Sequence, residues 1–284
     1  MPPIVLLLAD CDAWLSAPFA ASLSADERAR ADRFRQAVDR DRFIVRRGLL
    51  RRFLAERLGI PPARVPLAPG PAGKPSLSAA DLRGAGVAVA AFPPRFNLAR
   101  SGGLALYALL APEDVSDVTG PAAPDGPAVG VDLERFDIDR RTRADLRRIA
   151  DHFAPEETRF LAGLADDEAA AVFYRLWTCK EACLKCLGTG IGGGGPKLDE
   201  VVIALAPDGT VSGTARTALG RSWRVACFTP CPGYTAAVAV PLVEATSGEK
   251  LPLDVALRRV EPEAAERAVS RVAAPPPGRA PGAP

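Results

Sequence analysis

Apolar residues follow two different spacings along this chain, and together they predict a mixture of helices and strands. Short apolar or alternating runs predict strands over residues 3–9, 86–92, 96–98, 104–110, 129–133, 201–205, 223–228 and 235–240. Apolar residues spaced three and four apart predict helices over residues 24–58, 141–153, 155–164 and 167–187. The first of these helices begins at a capping-box pattern, Ser24 followed by Glu27. We therefore expect an α+β fold.

A segment without apolar periodicity divides the chain into two parts. Residues 111–127 are rich in Pro, Gly, Asp and Ser, which is typical of a linker. We expect an N-terminal half over residues 1–111, a linker over 112–127 and a C-terminal half over 128–243. From residue 244 the composition changes to Ala, Pro, Glu and Arg, so we expect a mostly disordered tail over 244–284 with one weak helix.

Composition is typical of a folded protein of the cytoplasm. The chain has 284 residues, of which 48% are apolar, so it can bury one large core or two smaller ones. The apolar run near the N-terminus is too short to cross a membrane and lacks the basic lead-in and cleavage site of a secretory signal. Six cysteines in a chain of this length do not form a disulfide scaffold. We expect reduced thiols, a cytoplasmic location and no membrane partner.

Positive charge is concentrated in the first half of the chain. The net charge is +2, but residues 1–112 carry 16 Lys and Arg against 9 Asp and Glu. This asymmetry predicts an anionic ligand or partner for the N-terminal half. One alternative is a non-catalytic nucleotide or nucleic-acid binder that uses the basic helix. That helix lacks interleaved exposed aromatic residues, and the acidic second half would repel a polyanion, so we expect no nucleic-acid partner.

Three cysteines fall into a spacing that can hold an iron–sulfur cluster. Cys179, Cys183 and Cys186 form C-x3-C-x2-C within the stretch W-T-C-K-E-A-C-L-K-C. An iron–sulfur enzyme is therefore a second alternative. However, the three positions are spaced i, i+4 and i+7 in a segment predicted to be helical, and free cysteine behaves as a small buried apolar residue. This placement favours packing over cluster binding.

Carboxylates on a strand and a helix suggest a metal site. Asp132 and Glu134 alternate with apolar residues, so both lie on one face of the predicted strand. By itself this pattern also fits an ordinary amphipathic strand with a solvated face. On the long helix, Trp177, Glu181 and Lys185 share a face, and the many apolar neighbours indicate that this helix is largely buried. A buried Glu and Lys need charged partners, and three carboxylates with a nearby cation suit Mg²⁺ and a diphosphate substrate.

The same residues carry a family resemblance. The strings V-G-V-D-L-E (residues 129–134) and W-T-C-K-E-A-C-L-K (177–185) closely resemble the paired signature of the 4′-phosphopantetheinyl transferase superfamily. A-G-K-P (72–75) and F-N-L-A-R-S-G-G (96–103) are similar to two further blocks of that family. The resemblance runs from about residue 24 to 240 and has the two-half layout of the monomeric, surfactin-type branch.

This resemblance implies a fold and a reaction. The fold would be two α/β halves related by a pseudo-twofold axis, with coenzyme A bound between them. The reaction would be the Mg²⁺-dependent transfer of the 4′-phosphopantetheine arm of coenzyme A to a serine of an apo acyl or peptidyl carrier protein. The second product would be adenosine 3′,5′-bisphosphate. The two-half layout favours a monomer that activates carriers of polyketide or non-ribosomal peptide synthesis.

The resemblance also assigns roles to individual residues. Asp132, Glu134 and Glu181 would bind Mg²⁺, and Asp132 would also contact the coenzyme. Glu181 would be the base for the carrier serine, directly or through a water on the metal, and Lys185 would contact the diphosphate. The remaining coenzyme-binding residues would hold the adenosine 3′-phosphate and nearby oxygens: Arg30, Arg42, Lys74, Pro75, Asn97, Arg100 and Ser101.

One position departs from the family pattern. Ala99-Arg100 stands where the family usually has Ser-His, so a hydroxyl is lost and a permanent cation replaces a histidine. Arginine can bind phosphate through two parallel hydrogen bonds. We therefore expect phosphate binding to survive at Arg100, with selectivity between coenzyme A and its 3′-dephospho form left open.

Overall fold

The computed structural model describes residues 4–69, 75–88, 93–110, 129–136, 140–188, 194–242 and 253–262. The predicted linker over 112–127 lies outside these ranges, and so does Lys74. Within the described ranges, no helix is both long and apolar enough to span a membrane.

The first half contains the following elements in chain order. They are β1 (Ile4–Asp10), α1 (Ala17–Ala20), α2 (Ala25–Ala31), α3 (Ala37–Leu58), β2 (Ala68–Pro69), β3 (Pro75–Ser76), α4 (Ala79–Gly84), β4 (Arg95–Ser101) and β5 (Leu104–Leu110). Short 3-10 helices lie at Cys11–Ala13 and Pro62–Arg64.

The second half is described from residue 129 onward. Its elements are β6 (Gly130–Arg135), α5 (Arg140–Ala150), α6 (Pro155–Ala162), α7 (Asp166–Leu187), β7 (Val201–Leu205), β8 (Val211–Thr217), β9 (Ser222–Phe228) and β10 (Tyr234–Pro241). A last strand, β11 (Val255–Val260), follows them in the chain.

Each half has a long helix packed on a sheet. The N-terminal sheet has the strand order β11-β1-β5-β4, and the C-terminal sheet has the order β6-β10-β9-β8-β7. The helices α3 and α7 each have 22 residues, and each packs against the apolar core on the sheet of its own half. This arrangement confirms the predicted α+β fold of two similar halves.

The two sheets meet through a third apolar core. Alternate residues of β1, β5, β6 and β10 point into this core, while the residues between them face the helix of their own half. For example, Leu6 and Leu8 lie in the shared core, whereas Ala9 packs in the α3 core. The period of two along a strand therefore produces the layer order α3, sheet, sheet, α7.

The predicted helix over 24–58 is two helices. The capping box is confirmed, because Ser24 Oγ accepts from the Glu27 amide while the Glu27 carboxylate accepts from the Ser24 amide. The chain leaves helical geometry after Ala31 and re-enters it at Ala37. The Phe34 ring lies 5.4 Å from the Phe43 ring in a small apolar cluster. This contact folds α2 back against α3 and explains the break.

Three further predictions are corrected. The expected disordered tail with one weak helix contains a strand, β11, which pairs in parallel with β1 at the edge of the N-terminal sheet. Its apolar residues Val255 and Leu257 pack against the core between the sheets, and this burial stabilises a strand that composition alone does not predict. The strand β8 was missed. Residues 86–88 of the strand predicted over 86–92 are not extended into a strand, and 89–92 lie outside the described residues.

Candidate active site

The acidic site is built where β6 and α7 touch. Gly130 begins β6, and a Cβ atom added there would lie 1.9 Å from the Ala182 carbonyl oxygen of α7. Only glycine permits this approach of strand and helix backbones. Val131 and Leu133 point into the core between the sheets, so the intervening Asp132 faces α7. The close approach thereby brings the β6 carboxylates toward Glu181 and Lys185.

Asp132 is buried and bound to Lys185. Asp132 is only 3% exposed, and its Oδ1 accepts a hydrogen bond from Lys185 Nζ at 2.5 Å. Its other oxygen, Oδ2, is buried and has no hydrogen-bond partner in the described part of the chain. Burial raises the pKa of Asp132, although Lys185 acts in the opposite direction. An unpaired buried oxygen of this kind is a position where a cation would be stabilising.

Glu134 is oriented by residues from both halves. Trp177 Nε1 of α7 donates to Glu134 Oε1 at 3.3 Å, and Ser101 Oγ of β4 donates to Glu134 Oε2 at 3.3 Å. Ser101 Oγ also accepts from the Arg135 amide at 3.0 Å. Burial and the nearby charge of Asp132 raise the pKa of Glu134. The N-terminal half therefore takes part in the acidic site directly.

Glu181 supplies the third carboxylate. It lies four residues before Lys185 on α7, on the same face as Trp177. Burial raises the pKa of Glu181, and the charges of Asp132 and Glu134 raise it further while Lys185 lowers it. The charges of Asp132 and Glu134 both act on Glu181, so its carboxylate lies near the other two.

The donor set suits a hard divalent cation. The available ligands are carboxylate oxygens, and neighbouring negative charges favour a cation between them. Within the described residues, no three His, Cys, Asp or Glu side chains are already gathered closely enough to hold a metal ion. Lys185 is the cation now bound to Asp132. The residues present fit Mg²⁺ by their chemistry, with the unpaired Asp132 Oδ2 as the observation that supports it.

The residues of the N-terminal half that were predicted to bind coenzyme A lie in surroundings that differ from one residue to the next. Asn97 Oδ1 accepts from the Val131 amide at 2.8 Å, so this side chain links β4 to β6. Arg100 is exposed at the end of β4. Arg42 forms a two-point ion pair with Asp12, with distances of 2.7 and 2.6 Å. Arg30 stands 5.4 Å above the Phe43 ring, and Pro75 lies in the short strand β3. Among the described residues of this group, Asn97 and Ser101 are the ones that hydrogen-bond to β6.

Several arginines of the basic helix α3 are held in ion pairs. Glu27 pairs with Arg47 at 3.2 Å and with Arg51 at 2.7 Å. Together with the Arg42–Asp12 pair, these contacts use three of the arginines that suggested a polyanion-binding surface. The nucleic-acid alternative gains no support from this helix.

The three cysteines of α7 lie in the core of the C-terminal half. Cys179, Cys183 and Cys186 are all buried among apolar residues. Burial raises the pKa of Cys183 well above its usual range, and a hydrogen bond with Cys227, followed by burial, does so for Cys179. Protonated thiols packed in a core are poor iron ligands. The packing interpretation of these cysteines is confirmed.

Two side-chain contacts of α7 were not predicted from the sequence. Trp177 was recognised as sharing a face with Glu181, but its hydrogen bond to Glu134 joins residues 43 positions apart. Lys180, adjacent to Glu181, points the other way into the core, where its Nζ lies 2.6 Å from a Glu157 oxygen and it is 0% exposed. The helical spacing places Lys180 off the Glu181 face, but its partner could not be read from the sequence.

Comparison with known proteins agrees with this geometry. A family model described as "4'-phosphopantetheinyl transferase superfamily" matches residues 128–239, which include β6 and α7. The chain is 36% identical to the 4′-phosphopantetheinyl transferase HetI of Nostoc sp., over 78% of this chain and 79% of that protein. It is 26% identical to a 4′-phosphopantetheinyl transferase of Bacillus subtilis, over 68% and 70% of the two chains.

A solved structure gives a weaker likeness. A holo-(acyl-carrier-protein) synthase from Bacillus anthracis in complex with CoA (3′,5′-ADP) matches 40% of this chain and 94% of its own, with 16% identity and a TM-score of 0.32. This likeness is too low to carry an argument. The extended similarity to HetI, together with the family match across β6 and α7, shows that the chain belongs to the 4′-phosphopantetheinyl transferase family.

Proposed function

We propose that this protein transfers the 4′-phosphopantetheine arm of coenzyme A to a serine of an apo acyl or peptidyl carrier protein in a Mg²⁺-dependent reaction. The serine oxygen forms a bond to the phosphorus of the arm. The bond from that phosphorus to the leaving phosphate breaks, and adenosine 3′,5′-bisphosphate is released. The observation that carries the proposal is the close contact of β6 with α7, which groups Asp132 and Glu134 with Glu181 and Lys185.

Asp132, Glu134 and Glu181 are the proposed ligands of Mg²⁺. When bound there, the cation would supply charge neutralisation for the diphosphate of coenzyme A. The hydrogen bonds from Trp177 and Ser101 orient Glu134 for this role, because they fix both of its oxygens. Asp132 keeps Oδ2 available while Oδ1 is held by Lys185.

Lys185 is the proposed cation for the substrate. Its ammonium group lies beside the carboxylates and is partly exposed, so it can contact diphosphate oxygens as well as Asp132. A cation held in this place would stabilise the negative charge that grows on the leaving phosphate.

Glu181 is the proposed base for the carrier serine. Asp132 and Glu134 each accept a hydrogen bond from a neighbouring side chain, whereas Glu181 accepts none from the residues that the structure describes. Its carboxylate therefore remains available to take the hydroxyl proton of an incoming serine.

The N-terminal half is proposed to bind the nucleotide end of coenzyme A. Arg100 and Ser101 are adjacent at the end of β4, and Ser101 already touches the acidic site. Lys74, Pro75 and Arg30 stay proposed contacts. Arg42 is neutralised by Asp12 in this structure, so we assign it a smaller contribution than Arg100.

The carrier domain, the cytoplasmic location and the monomeric state also belong to this proposal. The two-half layout favours carriers of polyketide or non-ribosomal peptide synthesis. The net positive N-terminal half would assist encounter with an acidic carrier surface.

Intact-mass spectrometry tests the transfer directly. Purified protein with Mg²⁺ and coenzyme A should add roughly 340 Da, the mass of the arm, to an apo carrier domain by metal-assisted phosphoryl chemistry. Glu181→Gln should abolish the added mass while its thermal unfolding stays like that of the parent. An unchanged mass across a panel of acyl and peptidyl carriers, with folded protein, would overturn the proposal.

A further inference from the structure

Two cysteines of the C-terminal half face each other between α7 and the sheet beneath it. Cys179 lies on α7 and is 0% exposed, whereas Cys227 lies on β9 and is partly exposed. Both side chains pack in the same apolar core, and a hydrogen bond joins their thiols. Neither residue has a role in the proposed transfer reaction. The pair is thus a nucleophilic group outside the acidic site.

The strand register fixes the direction of Cys227. On β9, Ala226 and Phe228 pack against the core between the sheets, so the intervening Cys227 points toward α7. It lies opposite Ala237 of β10, which in turn lies opposite Asp132 of β6. The three residues form one row on the α7 face of the sheet, and two strand spacings separate Cys227 from Asp132 by about 10 Å. The thiol pair is therefore close to the acidic site, with β10 between them.

The surroundings of Cys227 favour its thiolate. The hydrogen bond with Cys179 lowers the pKa of Cys227, and the positive charge of Arg175 acts in the same direction against the effect of burial. Arg175 precedes Cys179 by one helical turn, and its Nη1 donates to the Gly209 carbonyl at 3.2 Å, which fixes the guanidinium near the turn between β7 and β8. A thiolate that lies near a cation and can be reached from solvent is the form of cysteine that oxidants attack.

We propose that hydrogen peroxide converts Cys227 and Cys179 to a disulfide that joins β9 to α7 and slows phosphopantetheine transfer. The effect on transfer rests on the proposed transferase function, whereas the formation of the disulfide does not. The inference assigns a modification site to two thiols that the transfer reaction leaves unused.

The oxidation uses one molecule of peroxide. The Cys227 thiolate attacks one peroxide oxygen, the O–O bond breaks and hydroxide departs, which leaves a sulfenic acid on Cys227. The Cys179 sulfur then attacks the Cys227 sulfur, the S–O bond breaks, and the departing hydroxide takes the Cys179 proton to form water. Two thiols and one peroxide become one disulfide and two waters. The two electrons that the sulfur atoms lose are those that reduce the peroxide.

A bond between these residues changes the position of α7. It brings the two sulfur atoms closer than a hydrogen bond does, so α7 is drawn toward β9. The strand order β6-β10-β9 places β9 two strands away from β6. Movement of α7 in this direction opens its backbone contact with Gly130. It also separates Lys185 from Asp132, so the acidic site loses the geometry on which transfer is proposed to depend.

Peptide mass spectrometry tests the disulfide without any variant. The full chain is reduced, treated with hydrogen peroxide, blocked with iodoacetamide and digested with trypsin. Cys179 is then alone in the peptide 176–180, and the peptide that begins at residue 225 holds both Cys227 and Cys231. We expect a cross-link between these peptides, lighter than their sum by two hydrogen atoms and assigned to Cys227 by fragmentation.

Transfer and Mg²⁺ binding measure the consequence. Transfer by the oxidised parent should fall roughly tenfold or more, because small displacements of catalytic groups are costly, and dithiothreitol should restore it. The rise in unfolding temperature that Mg²⁺ causes should be smaller in the oxidised parent than in the reduced one. Cys227→Ser and Cys227→Ala should transfer like the reduced parent and keep their rate after peroxide. Cys231→Ser is the matched control and should stay as sensitive as the parent, because the charged groups that act on Cys231 are Arg259 and Asp10.

The outcomes separate this inference from the transferase function. A peroxide-treated parent without the cross-link, or with Cys227 linked to Cys231 instead, would overturn the inference. So would a parent that carries the cross-link and still transfers at the reduced rate. A folded, reduced parent that transfers nothing to any carrier would overturn the transferase function alone, because the cross-link and the change in the Mg²⁺ effect are measured without a carrier.

Discussion

Gly130 of β6 and Ala182 of α7 approach so closely that a Cβ atom at Gly130 would lie 1.9 Å from the Ala182 carbonyl oxygen. This contact sets the distance between the strand that carries Asp132 and Glu134 and the helix that carries Glu181 and Lys185. The site therefore depends on a residue without a side chain, and the first prediction concerns that residue.

Gly130→Ala should both destabilise the protein and remove activity. The added methyl group meets backbone atoms that cannot rotate away, so α7 must move from β6 and separate Lys185 from Asp132. We expect a loss of roughly 1–3 kcal/mol in unfolding free energy, measured by urea denaturation, and transfer below a tenth of the parent rate. Gly84→Ala is the control, because a Cβ there meets nothing within 4 Å. Parent-like transfer by Gly130→Ala would contradict this account of the site.

Mg²⁺ should stabilise the folded protein before any substrate is added. Burial raises the pKa of all three carboxylates, and neighbouring carboxylate charge raises the pKa of Glu134 and Glu181 further. A bound cation relieves both effects. Ligand that binds only the folded state stabilises it by about 2.7 kcal/mol when its concentration is about 100 times the dissociation constant. Thermal unfolding with Mg²⁺ and with EDTA measures the effect.

The matched variants for this test are Asp132→Asn and Asp145→Asn. Asp132→Asn should lose most of the Mg²⁺-dependent rise in unfolding temperature, because it replaces a proposed ligand. Asp145 is exposed on α5, so Asp145→Asn should keep the full rise. A rise of equal size in all three proteins would place the cation elsewhere.

The local parts of this site are predictable from sequence, and the contacts between them are not. Period two on β6 gives the shared face of Asp132 and Glu134, and the spacing of four on α7 gives that of Glu181 and Lys185. Both follow from backbone geometry alone. The hydrogen bond from Ser101 to Glu134 joins the two halves and depends on how the sheets pack. No local pattern records that packing.

The burial of a charge and the pairing of distant strands also cannot be predicted from local sequence patterns. In the run of arginines on α3, nothing marks Arg47 and Arg51 as the partners of Glu27, because the pairing depends on where Glu27 lies after α2 folds back. The strand β11 pairs with β1 across almost the whole chain. Its composition resembles a disordered segment, and only the edge that β1 offers makes it a strand.

Of the ion pairs in the described residues, the one between Lys180 and Glu157 should cost the most free energy of unfolding when one partner is removed. Lys180 Nζ lies 2.6 Å from Glu157 and also donates to the carbonyls of Leu198 and Val201. Burial lowers the pKa of Lys180 and raises that of Glu157, while each group opposes the shift of the other. Lys180→Met leaves a buried carboxylate without its cation, so we expect a loss of about 3–5 kcal/mol in urea denaturation.

A double-mutant cycle tests whether this loss belongs to the pair. Glu157→Gln keeps the shape of the side chain, but its single oxygen can accept from only one of the Ala154 and Ile203 amides. The double variant should therefore be less destabilised than the sum of the single variants. Removing the exposed ion pair between Arg147 and Asp166 by Arg147→Ala should change stability by less than about 1 kcal/mol. Additive losses at Lys180 and Glu157 would show that the two side chains act independently.

The cysteines of α7 provide the last test, since they suggested a different chemistry from the one proposed. Cys179, Cys183 and Cys186 pack in the core, while Glu181 and Lys185 carry the site on another face of the same helix. Alanine at all three should lower stability by about 1 kcal/mol for each, as core truncations commonly do. Transfer per folded molecule should remain close to the parent rate, whereas Glu181→Gln should be stable and inactive. Stoichiometric iron in anaerobically purified protein would show that the thiols take part in the chemistry. An inactive triple variant with parent-like folding would show the same. The cysteine variants and Glu181→Gln should have opposite effects on transfer, although the residues are close in sequence. The reason is helical geometry, because Cys179 and Glu181 face nearly opposite directions on α7.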